Sequence, residues 1–263
     1  MRLITWNVNS VRLRMAHLTR LIAAHQPDVI CLQETKVVDD AFPRKPLEAC
    51  GYVHQHVQGM KSWNGVAILS RLPLVETGVR HSCGKEDCRH VYACLADGVR
   101  IDCLYVPAGG ETPDPATNPK FAHKLAFLDA LAAWWPQVAS RRTPVIMAGD
   151  FNVAPLENDV WSHRAMGSVV SHTPIEVAHL AALQASLDWI DAGRRFVPET
   201  EKLFTWWSYR SQDWSRSNRG LRLDHIWLTP ALEPRLQACR TLTDVRGWEP
   251  KPSDHAPVLL ELA

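Results

Sequence analysis

The segment Val145–Asn152, with the sequence VIMAGDFN, places a short apolar run directly before a Gly-Asp-Phe-Asn turn. An apolar run bounded by turn residues is typical of a buried strand. Runs of the same kind recur along the chain. We therefore predict strands at Leu3–Val8, Asp28–Leu32, Val66–Leu69, Val99–Val106, Val145–Ala148, Leu223–Leu228 and Ala256–Leu260.

Helical patterns lie between these strands. Met15–His25 carries its apolar residues on one face and stops before Pro27, and Phe121–Trp135 is followed in the same way by Pro136. The segment Thr173–Glu176 (TPIE) is a capping box with proline at the first helical position, which predicts a further helix. Strands mixed with helices in this order predict an α/β fold with the helices outside the sheets.

The composition sets limits on the class of protein. Of 263 residues, 46% are hydrophobic, which is enough to bury one core, and we predict a single domain over residues 1–263. The net charge of +1 argues against binding of polyanions over the whole surface but allows a local basic stripe. The seven cysteines lack the spacing of a disulfide framework, and we find no signal-peptide or membrane-spanning pattern. We therefore expect a reduced, cytoplasmic monomer without a membrane partner.

Polar residues cluster where the predicted strands end. These clusters are Trp6–Asn9, Gln33–Lys36, Gly149–Asn152, Leu223–His225 and Ser253–His255. Strand ends can converge on one rim of a sheet, where loops on a rigid scaffold carry function. A single cluster would indicate a turn or a cap, whereas five indicate a functional constellation.

Together with further motifs, these clusters resemble the exonuclease III family, the DNA-repair members of the endonuclease/exonuclease/phosphatase superfamily. The matching segments, in the order of the family, are Ile4–Asn9, Leu32–Lys36, Trp63–Ala67, Tyr105–Pro107, Gly149–Asn152, Asn218–Asp224 and Pro252–Pro257. The resemblance implies a four-layer α/β sandwich of two packed mixed β-sheets flanked by helices. It also implies a Mg²⁺ or Mn²⁺ enzyme that acts on double-stranded DNA, at abasic sites or at 3′ ends.

The expected metal site contains Glu34, Asn7 and Asp254. Glu34 follows an apolar strand, where an unpaired carboxylate is unfavourable unless a cation meets it. The resemblance places the metal at Glu34 with Asn7 alongside, and an oxygen-ligand site suits Mg²⁺. It assigns Asp254 to the leaving oxygen or to a second metal. The alternative is that Glu34 is a strand-end carboxylate paired with Lys36.

The expected catalytic residues include Asp150, Asn152, Asp224 and His255. Asp150 and Asn152 are two apart, so on an extended segment they would point to the same side. By resemblance, Asp150 orients or deprotonates the attacking water and Asn152 donates to a phosphate oxygen; the alternative is an Asx turn. Asp224 and His255 resemble the family's Asp–His pair, in which the carboxylate raises the pKa of the imidazole and favours a positive charge facing phosphate. The alternative is a structural histidine.

Tyr105 ends a predicted strand before Pro107. The resemblance places its phenol near the scissile phosphate, together with Asn7, either as a hydrogen-bond donor or as a group of lowered pKa. An ordinary strand-end tyrosine is the competing interpretation.

The tract Phe204–Arg210 and the arginines after it are predicted to face DNA, since arginines hold phosphates and an aromatic wall receives an unstacked or base-free sugar. The DNA-binding residues we predict are Trp206, Arg210, Asn218 and Arg219. By resemblance Trp206 lines the sugar pocket and Arg210 lies where a side chain enters the duplex. Phe204 and Trp207 are expected in the core.

Two local features carry separate hypotheses. His172, just before the capped helix, could crowd a sugar pocket and bias the enzyme towards trimming of 3′ ends. His81, Cys83, Cys88 and His90 form a compact Cys/His group. Their spacing is unlike that of a usual zinc knuckle, so we expect a surface loop with reduced thiols there rather than a zinc site.

Two other functions compete with DNA repair. A phosphoesterase acting on a lipid or small-molecule phosphate would share the superfamily motifs, but it does not explain the aromatic and arginine-rich tract. A non-catalytic DNA-binding module would be expected to have lost some of Glu34, Asp150, Asn152, Asp224 and His255, and all of them are present.

Overall fold

Two six-stranded sheets carry the fold in this computed structural model, which describes residues 1–211 and 213–263. The strands are β1 (Arg2–Asn7), β2 (Val29–Gln33), β3 (His54–Gln58), β4 (Val66–Ser70), β5 (Leu74–Val79), β6 (His90–Leu95), β7 (Arg100–Tyr105), β8 (Val145–Asp150), β9 (Ile190–Asp191), β10 (Trp206–Trp207), β11 (Gly220–Leu221), β12 (Asp224–Leu228), β13 (Leu236–Thr241) and β14 (Val258–Leu262). The α-helices are α1 (Met15–His25), α2 (Arg44–Ala49), α3 (Pro119–Val138), α4 (His163–Met166), α5 (Pro174–Ala185) and α6 (Trp214–Ser217). Short 3₁₀ helices span Asp39–Ala41, Glu157–Asp159, Pro230–Arg235 and Thr243–Gly247. All seven predicted strands are confirmed, with ends within two residues.

Both sheets are mixed, as predicted. The first has the order β13-β14-β1-β2-β4-β3, and its central pair, β1 and β2, is parallel. The second has the order β5-β6-β7-β8-β12-β9, with β7 and β8 as the parallel pair. Every other neighbouring pair in the two sheets is antiparallel. Each sheet therefore has two adjacent strands at its centre that end at the same edge.

The sheets pack face to face, and helices cover their outer faces. Val29 and Cys31 of β2 lie in one core with Ile101 and Cys103 of β7. On the far side of the first sheet, α1 contributes to a second core, and α3 and α5 contribute to a third core on the far side of the second sheet. This helix–sheet–sheet–helix order confirms the predicted four-layer sandwich. No helix within residues 1–211 and 213–263 combines the length and hydropathy that a membrane crossing requires.

The helix ends follow the capping signals, with one correction. The capping box of Thr173 and Glu176 opens α5 as predicted. The prediction that the second helix ends at Trp135 is wrong, because α3 continues to Val138 with Pro136 inside it. A proline removes one backbone hydrogen bond, and the fully buried ring of Trp135 holds the last turn in place.

The strands that sequence analysis missed lie at or near sheet edges. β3, β5 and β13 have mixed burial, with polar and charged residues along them. A strand that buries little of its surface has no need of a continuous apolar run. Its position follows from pairing with the strand beside it, which the pattern of its own residues does not show.

A buried ion cluster connects β9, the start of β12 and the 3₁₀ helix Glu157–Asp159. The Arg222 guanidinium lies 2.8 Å from Asp159 through Nε and 2.7 Å from Asp191 through Nη1. Arg194 also pairs with Asp159, at 2.5 Å. Because Arg222 and Asp159 are almost completely buried, removal of the guanidinium would leave carboxylates without solvation.

We predict that Arg222→Met lowers the free energy of unfolding by about 3–5 kcal/mol, because it leaves the buried Asp159 and the partly buried Asp191 without their shared cation. Arg240→Met is the matched control, since Arg240 pairs with Glu261 at the surface at 3.2 Å, and its loss should be within about 1 kcal/mol. Urea unfolding of the two variants measures the difference. Equal losses would contradict the assigned role of Arg222.

Candidate active site

The parallel strands of the first sheet place Asn7 and Glu34 side by side. Asn7 at the end of β1 is in register with Gln33 at the end of β2, and Glu34 follows directly. The side chain of Asn7 donates through Nδ2 to Glu34 Oε1 at 2.8 Å. Glu34 has a φ of 52°, in the left-handed region that non-glycine residues seldom occupy. The backbone therefore turns sharply at the point where the carboxylate is presented.

The second sheet brings three further predicted residues into one row. Tyr105 on β7 is in register with Asp150 on β8, which is in turn in register with Asp224 on β12. Gly149 is required beside this row, because a β-carbon there would lie 2.0 Å from the carbonyl oxygen of Leu104. The glycine of the Gly-Asp-Phe-Asn motif thus permits the close approach of β8 to β7 just before the functional carboxylate.

Hydrogen bonds join the two sheets at this rim. The same Nδ2 of Asn7 that contacts Glu34 also donates to Asp150 Oδ2 at 2.9 Å. Tyr105 donates its hydroxyl to Glu34 Oε1 at 3.0 Å. Lys36 Nζ lies 2.7 Å from Glu34 Oε2, so the ion pair considered as an alternative exists alongside the other contacts.

The electrostatics of Glu34 and Tyr105 follow from this arrangement. Burial alone would raise the pKa of Glu34, but Lys36 and the Asn7 hydrogen bond bring it below its ordinary value. Burial raises the pKa of Tyr105 well above its usual range, and the neighbouring charges of Glu34 and Asp150 raise it further. Tyr105 is therefore a neutral phenol that donates a hydrogen bond, which favours the first of the two roles considered for it.

His255 and Asp224 form the predicted pair. His255 Nδ1 lies 2.8 Å from Asp224 Oδ2, and its Nε2 lies 3.9 Å from Asp150 Oδ2. Burial alone would lower the pKa of His255, but Asp224 and Asp150 raise it to about 10. For Asp150, burial raises the pKa. The positive charge of His255 opposes this rise, and the negative charge of Asp224 adds to it. The site thus holds an imidazolium cation at neutral pH, next to a carboxylate whose basicity is increased.

Asn152 departs from the expected geometry. Its φ of 53° shows that the segment is not extended at this residue, so the argument that Asp150 and Asn152 point to one side of a strand was wrong. Instead, the backbone N–H of Asn152 donates to Asp150 Oδ1 at 2.9 Å, which is the Asx turn considered as the alternative. The Asn152 amide donates to the Val106 carbonyl oxygen at 2.8 Å, and both residues of the turn line the same cavity. The turn and the site therefore coexist.

Asp254 lies at the same cavity, with both carboxylate oxygens occupied. Asn9 Nδ2 donates to its Oδ1 and Trp206 Nε1 donates to its Oδ2, each at 3.0 Å. Burial would raise the pKa of Asp254, but His255 and these two donors lower it. Asp254 is thus a carboxylate held towards the cavity by an amide and an indole.

A group of residues able to hold a metal lies at the floor of the cavity. Among residues 1–211 and 213–263, the group whose ligand atoms lie within 4.8 Å of one another consists of Glu34, Asp150 and His255. A protonated imidazole has no lone pair for a metal, so the oxygens of Glu34 and Asp150 are the donors that count. Carboxylate oxygens are the ligands of hard divalent cations. Such a cation would also stabilise the buried Asp150 carboxylate beside Asp224 and Glu34, so the donor set fits a metal.

The cavity above this floor has a volume of about 1110 Å³. Of the predicted DNA-binding residues, Trp206, Arg210 and Arg219 line it. Asn218 is directed elsewhere: its side-chain oxygen accepts from Trp207 Nε1 at 3.0 Å, and it lines a separate cavity of about 380 Å³. Phe204 and Trp207 are buried, as expected.

Several residues at this site are not predicted by the sequence pattern. Trp161, Met166, Val169 and Val170 form part of the cavity wall. Outside the cavity, Lys124 forms a fully buried ion pair with Glu176 and donates to the carbonyl oxygen of Asn152 at 2.7 Å. A lysine within a helix gives no sequence signal of its own, although the capping box had already singled out Glu176.

The hypothesis that His172 narrows the cavity is wrong. Its ring is buried behind the wall, with Nδ1 at 2.6 Å from the carbonyl oxygen of Ala154 and Nε2 at 2.8 Å from His163 Nδ1. It is not among the residues that line the cavity in the described part of the chain. The neighbouring Val170 and Ser171 line the cavity instead, and the backbone at Ser171 is left-handed, with a φ of 84°.

The Cys/His group around residue 85 does not form a metal cluster in the described residues. Cys83 is exposed and Cys88 is partly exposed, and both are free thiols. His90 is buried and pairs with Asp102 at 2.7 Å.

The chain matches a known protein family and is similar to several characterised enzymes. The family model described as "Endonuclease/Exonuclease/phosphatase family" matches residues 4–255. The chain is 30% identical to exodeoxyribonuclease III of Haemophilus influenzae, over 99% of both proteins. It is similar to a solved 3′ phosphatase from Neisseria bound to a product DNA hairpin, with a TM-score of 0.92, 31% identity and coverage of 100% of this chain and 99% of that one. It is also similar to an AP endonuclease from Archaeoglobus fulgidus, with a TM-score of 0.93, 30% identity and the same coverage.

We predict that Asp224→Asn lowers the pKa of His255 markedly from about 10, because it removes the charge that raises it most. The imidazole would then lose its proton as the pH rises through a lower value, whereas in the unmodified protein it stays charged through neutral pH. NMR titration of the His255 ring measures both values. Asp254→Asn is the control and should have a smaller effect, since Asp254 contributes least. An unchanged titration in Asp224→Asn would refute this account of the pair.

Proposed function

The chain belongs to the endonuclease/exonuclease/phosphatase family, and from that premise we propose that it is a DNA-repair phosphodiesterase of the exonuclease III type. Its substrate is double-stranded DNA, which it cuts at abasic sites, at 3′ ends or at both. It acts as a monomer in which residues 1–263 form one catalytic domain, with Mg²⁺ as the metal and Mn²⁺ as a substitute. The similarity to exodeoxyribonuclease III over the full length of both proteins supports this proposal.

One observation supports it most strongly. Two carboxylates from different sheets, Glu34 and Asp150, meet at the floor of the cavity, joined by the amide of Asn7 and faced by the His255 cation. Hydrolysis of a phosphodiester requires a nucleophilic water and neutralisation of charge on the phosphoryl oxygens. A carboxylate of raised pKa next to an imidazolium supplies both a base and a positive charge.

The metal would be held by Glu34, with Asn7 beside it, which leaves Asp150 unliganded as the base. When bound, it supplies a Lewis acid that polarises a phosphoryl oxygen and offsets negative charge. Asp254 lines the same cavity, where its ionised carboxylate would lie near the leaving oxygen or hold a second metal.

Side chains of the protein would carry out proton transfer and stabilise the charge of the transition state. Asp150 accepts a proton from the attacking water, since its raised pKa makes it a better base than an ordinary carboxylate. His255 contributes a positive charge towards the phosphate, and Asp224 fixes the orientation of its ring. Tyr105 and Asn152 line the cavity and would contact phosphate oxygens, Asn152 through its second amide N–H and Tyr105 by turning its hydroxyl away from Glu34. Each of these groups stabilises the doubly negative transition state more than it stabilises the bound, singly negative phosphodiester.

The cavity wall supplies the contacts to DNA. The Trp206 ring, fixed by its hydrogen bond to Asp254, is an aromatic surface beside the reacting groups. Arg210 and Arg219 add positive charge at the cavity, where backbone phosphates would lie. These features favour a polymeric nucleic acid over a lipid or small-molecule phosphate.

We predict that Asp150→Asn and His255→Ala each lower the rate of duplex cleavage by at least about a hundredfold, because each removes a group that acts in the transition state. The assay uses two labelled duplexes in Mg²⁺, one with an internal abasic-site analogue and one with a recessed or blocked 3′ end. EDTA should abolish cleavage, and the exposed variant Asp188→Asn should retain it.

The ratio of the two rates identifies the dominant repair reaction. If the folded, unmodified protein cut neither duplex in Mg²⁺ or Mn²⁺, the proposal would fail. Turnover of a small-molecule phosphate would then support a phosphoesterase, and duplex binding without turnover would support a binding module.

A further inference from the structure

A second cavity, of about 480 Å³, lies on the other side of the loop that carries Arg210. Ser211 lines both this pocket and the active-site cavity, whereas Tyr209 lines only the pocket and Arg210 only the cavity. Arg14, Arg246 and Lys251 line the pocket, and we refer to it as the arginine pocket. A ligand seated there would lie next to the segment 208–211, most of whose residues also line the active-site cavity.

Among the residues that the structure describes, the two arginines of the pocket are buried with no carboxylate at salt-bridge distance. Arg14 and Arg246 are only 5% and 4% exposed. Arg14 Nη2 contacts the Tyr209 hydroxyl at 2.9 Å and the Pro252 carbonyl oxygen at 3.1 Å. Arg246 Nη2 donates to the Trp207 carbonyl oxygen at 3.3 Å. All of these partners are neutral, and in the described part of the chain the Nε of each arginine has no hydrogen-bond partner.

Other buried cations of this protein are paired differently. Arg222 lies between Asp159 and Asp191, and Lys124 is paired with Glu176. A buried charge is stable when a counter-ion meets it. Arg14 and Arg246 therefore lack what the fold supplies to comparable groups, and an anion from outside the chain would supply it.

The pocket also has the chemistry to hold a phosphate. The Arg246 guanidinium lies over the rings of Tyr209 and Trp214, at 5.3 and 5.2 Å from their centroids, which fixes its plane. Lys251 adds a third cation, and Glu249 is the one acidic side chain among the described residues of the lining. Guanidinium groups held in fixed planes match the oxygens of a phosphate.

We propose that the arginine pocket binds a backbone phosphodiester of the DNA, next to the one that is cut. The inference rests on the proposed function and extends it, since it gives the duplex a second attachment point across the Arg210 loop. The loop would then lie between two held phosphates, with its tip directed at the DNA. Binding at this point strengthens affinity without taking part in the chemistry.

The test changes the charge of the pocket and measures DNA binding. Gly247 is exposed at the lining, its φ is not in the left-handed region, and an added β-carbon would lie 3.6 Å from the Trp214 ring, which is ordinary contact. Gly247→Glu places a carboxylate at the arginines, and Gly247→Gln places an uncharged group of equal size there. Each change is made with Asp150→Asn present, so that the duplex stays intact during the measurement.

We expect Gly247→Glu to weaken duplex binding about tenfold more than Gly247→Gln, and to reduce the slope of log affinity against log salt by about one. Glu249→Gln should act in the opposite direction and tighten binding, because it removes the acidic side chain. Fluorescence anisotropy over a salt series gives both quantities, and duplexes shortened from either end locate the phosphate. Lys251→Asn, whose new residue tolerates the left-handed backbone at this position, should lower the same slope if Gly247→Glu does not fold.

Equal affinities and slopes for the Glu and Gln variants, together with no effect of Lys251→Asn, would overturn the proposal. So would inorganic phosphate that binds the pocket while duplex affinity stays independent of these changes, because the site would then serve free phosphate. Failure of the proposed function looks different, since it is the absence of duplex cleavage by the unmodified protein. The binding result and the cleavage result can therefore fail separately.

Discussion

The amide of Asn7 is the contact on which the site depends, because its Nδ2 donates both to Glu34 of the same sheet and to Asp150 of the other sheet. Two carboxylates brought together away from water repel each other unless donors and cations meet them. Asn7, Tyr105 and Lys36 meet these carboxylates, and His255 faces Asp150. This arrangement requires the parallel pair of each sheet to end at the same rim. At this edge, the face-to-face packing of the two sheets brings the carboxylates of Glu34 and Asp150 together.

Support for the cluster comes from outside the cavity. Lys124 on α3 and Glu176 on α5 form a buried ion pair whose lysine donates to the carbonyl oxygen of Asn152. Glu176 also accepts the backbone N–H of Ser171, which lines the cavity. One ion pair thus joins two outer helices to two loops of the site. Left-handed backbone at Glu34 and Asn152 is tolerated because such contacts hold both residues from several directions.

The charge that this protein presents at a given surface depends on which side chains are paired there, and the net charge does not reveal it. The net charge is +1, yet in the described part of the chain the cavity and the neighbouring pocket present arginines that have no salt-bridge partner, while Arg222 lies buried between two aspartates. Nucleic acid is attracted by the local field of a surface, which falls off within about 8 Å at physiological salt. A nearly neutral chain can therefore present a strongly cationic face, provided that its other cations are neutralised within the fold.

The sequence by itself determined the central strands and most of the residues at the site. Apolar runs such as Val145–Ala148 report burial directly, and functional residues such as Glu34 and Asp150 follow them at once, so their position at a common rim was predictable. Only the tertiary structure decided the polar edge strands, the position of Ser171 at the cavity in place of His172, the donors that hold Asp254, and the placement of Arg14 and Arg246 in one pocket. Side-chain direction in a loop depends on individual φ values, and contacts between distant segments depend on how the two sheets pack. The periodicity of a single segment does not encode the loop conformation or these distant contacts, because both depend on residues elsewhere in the chain that pack against the segment.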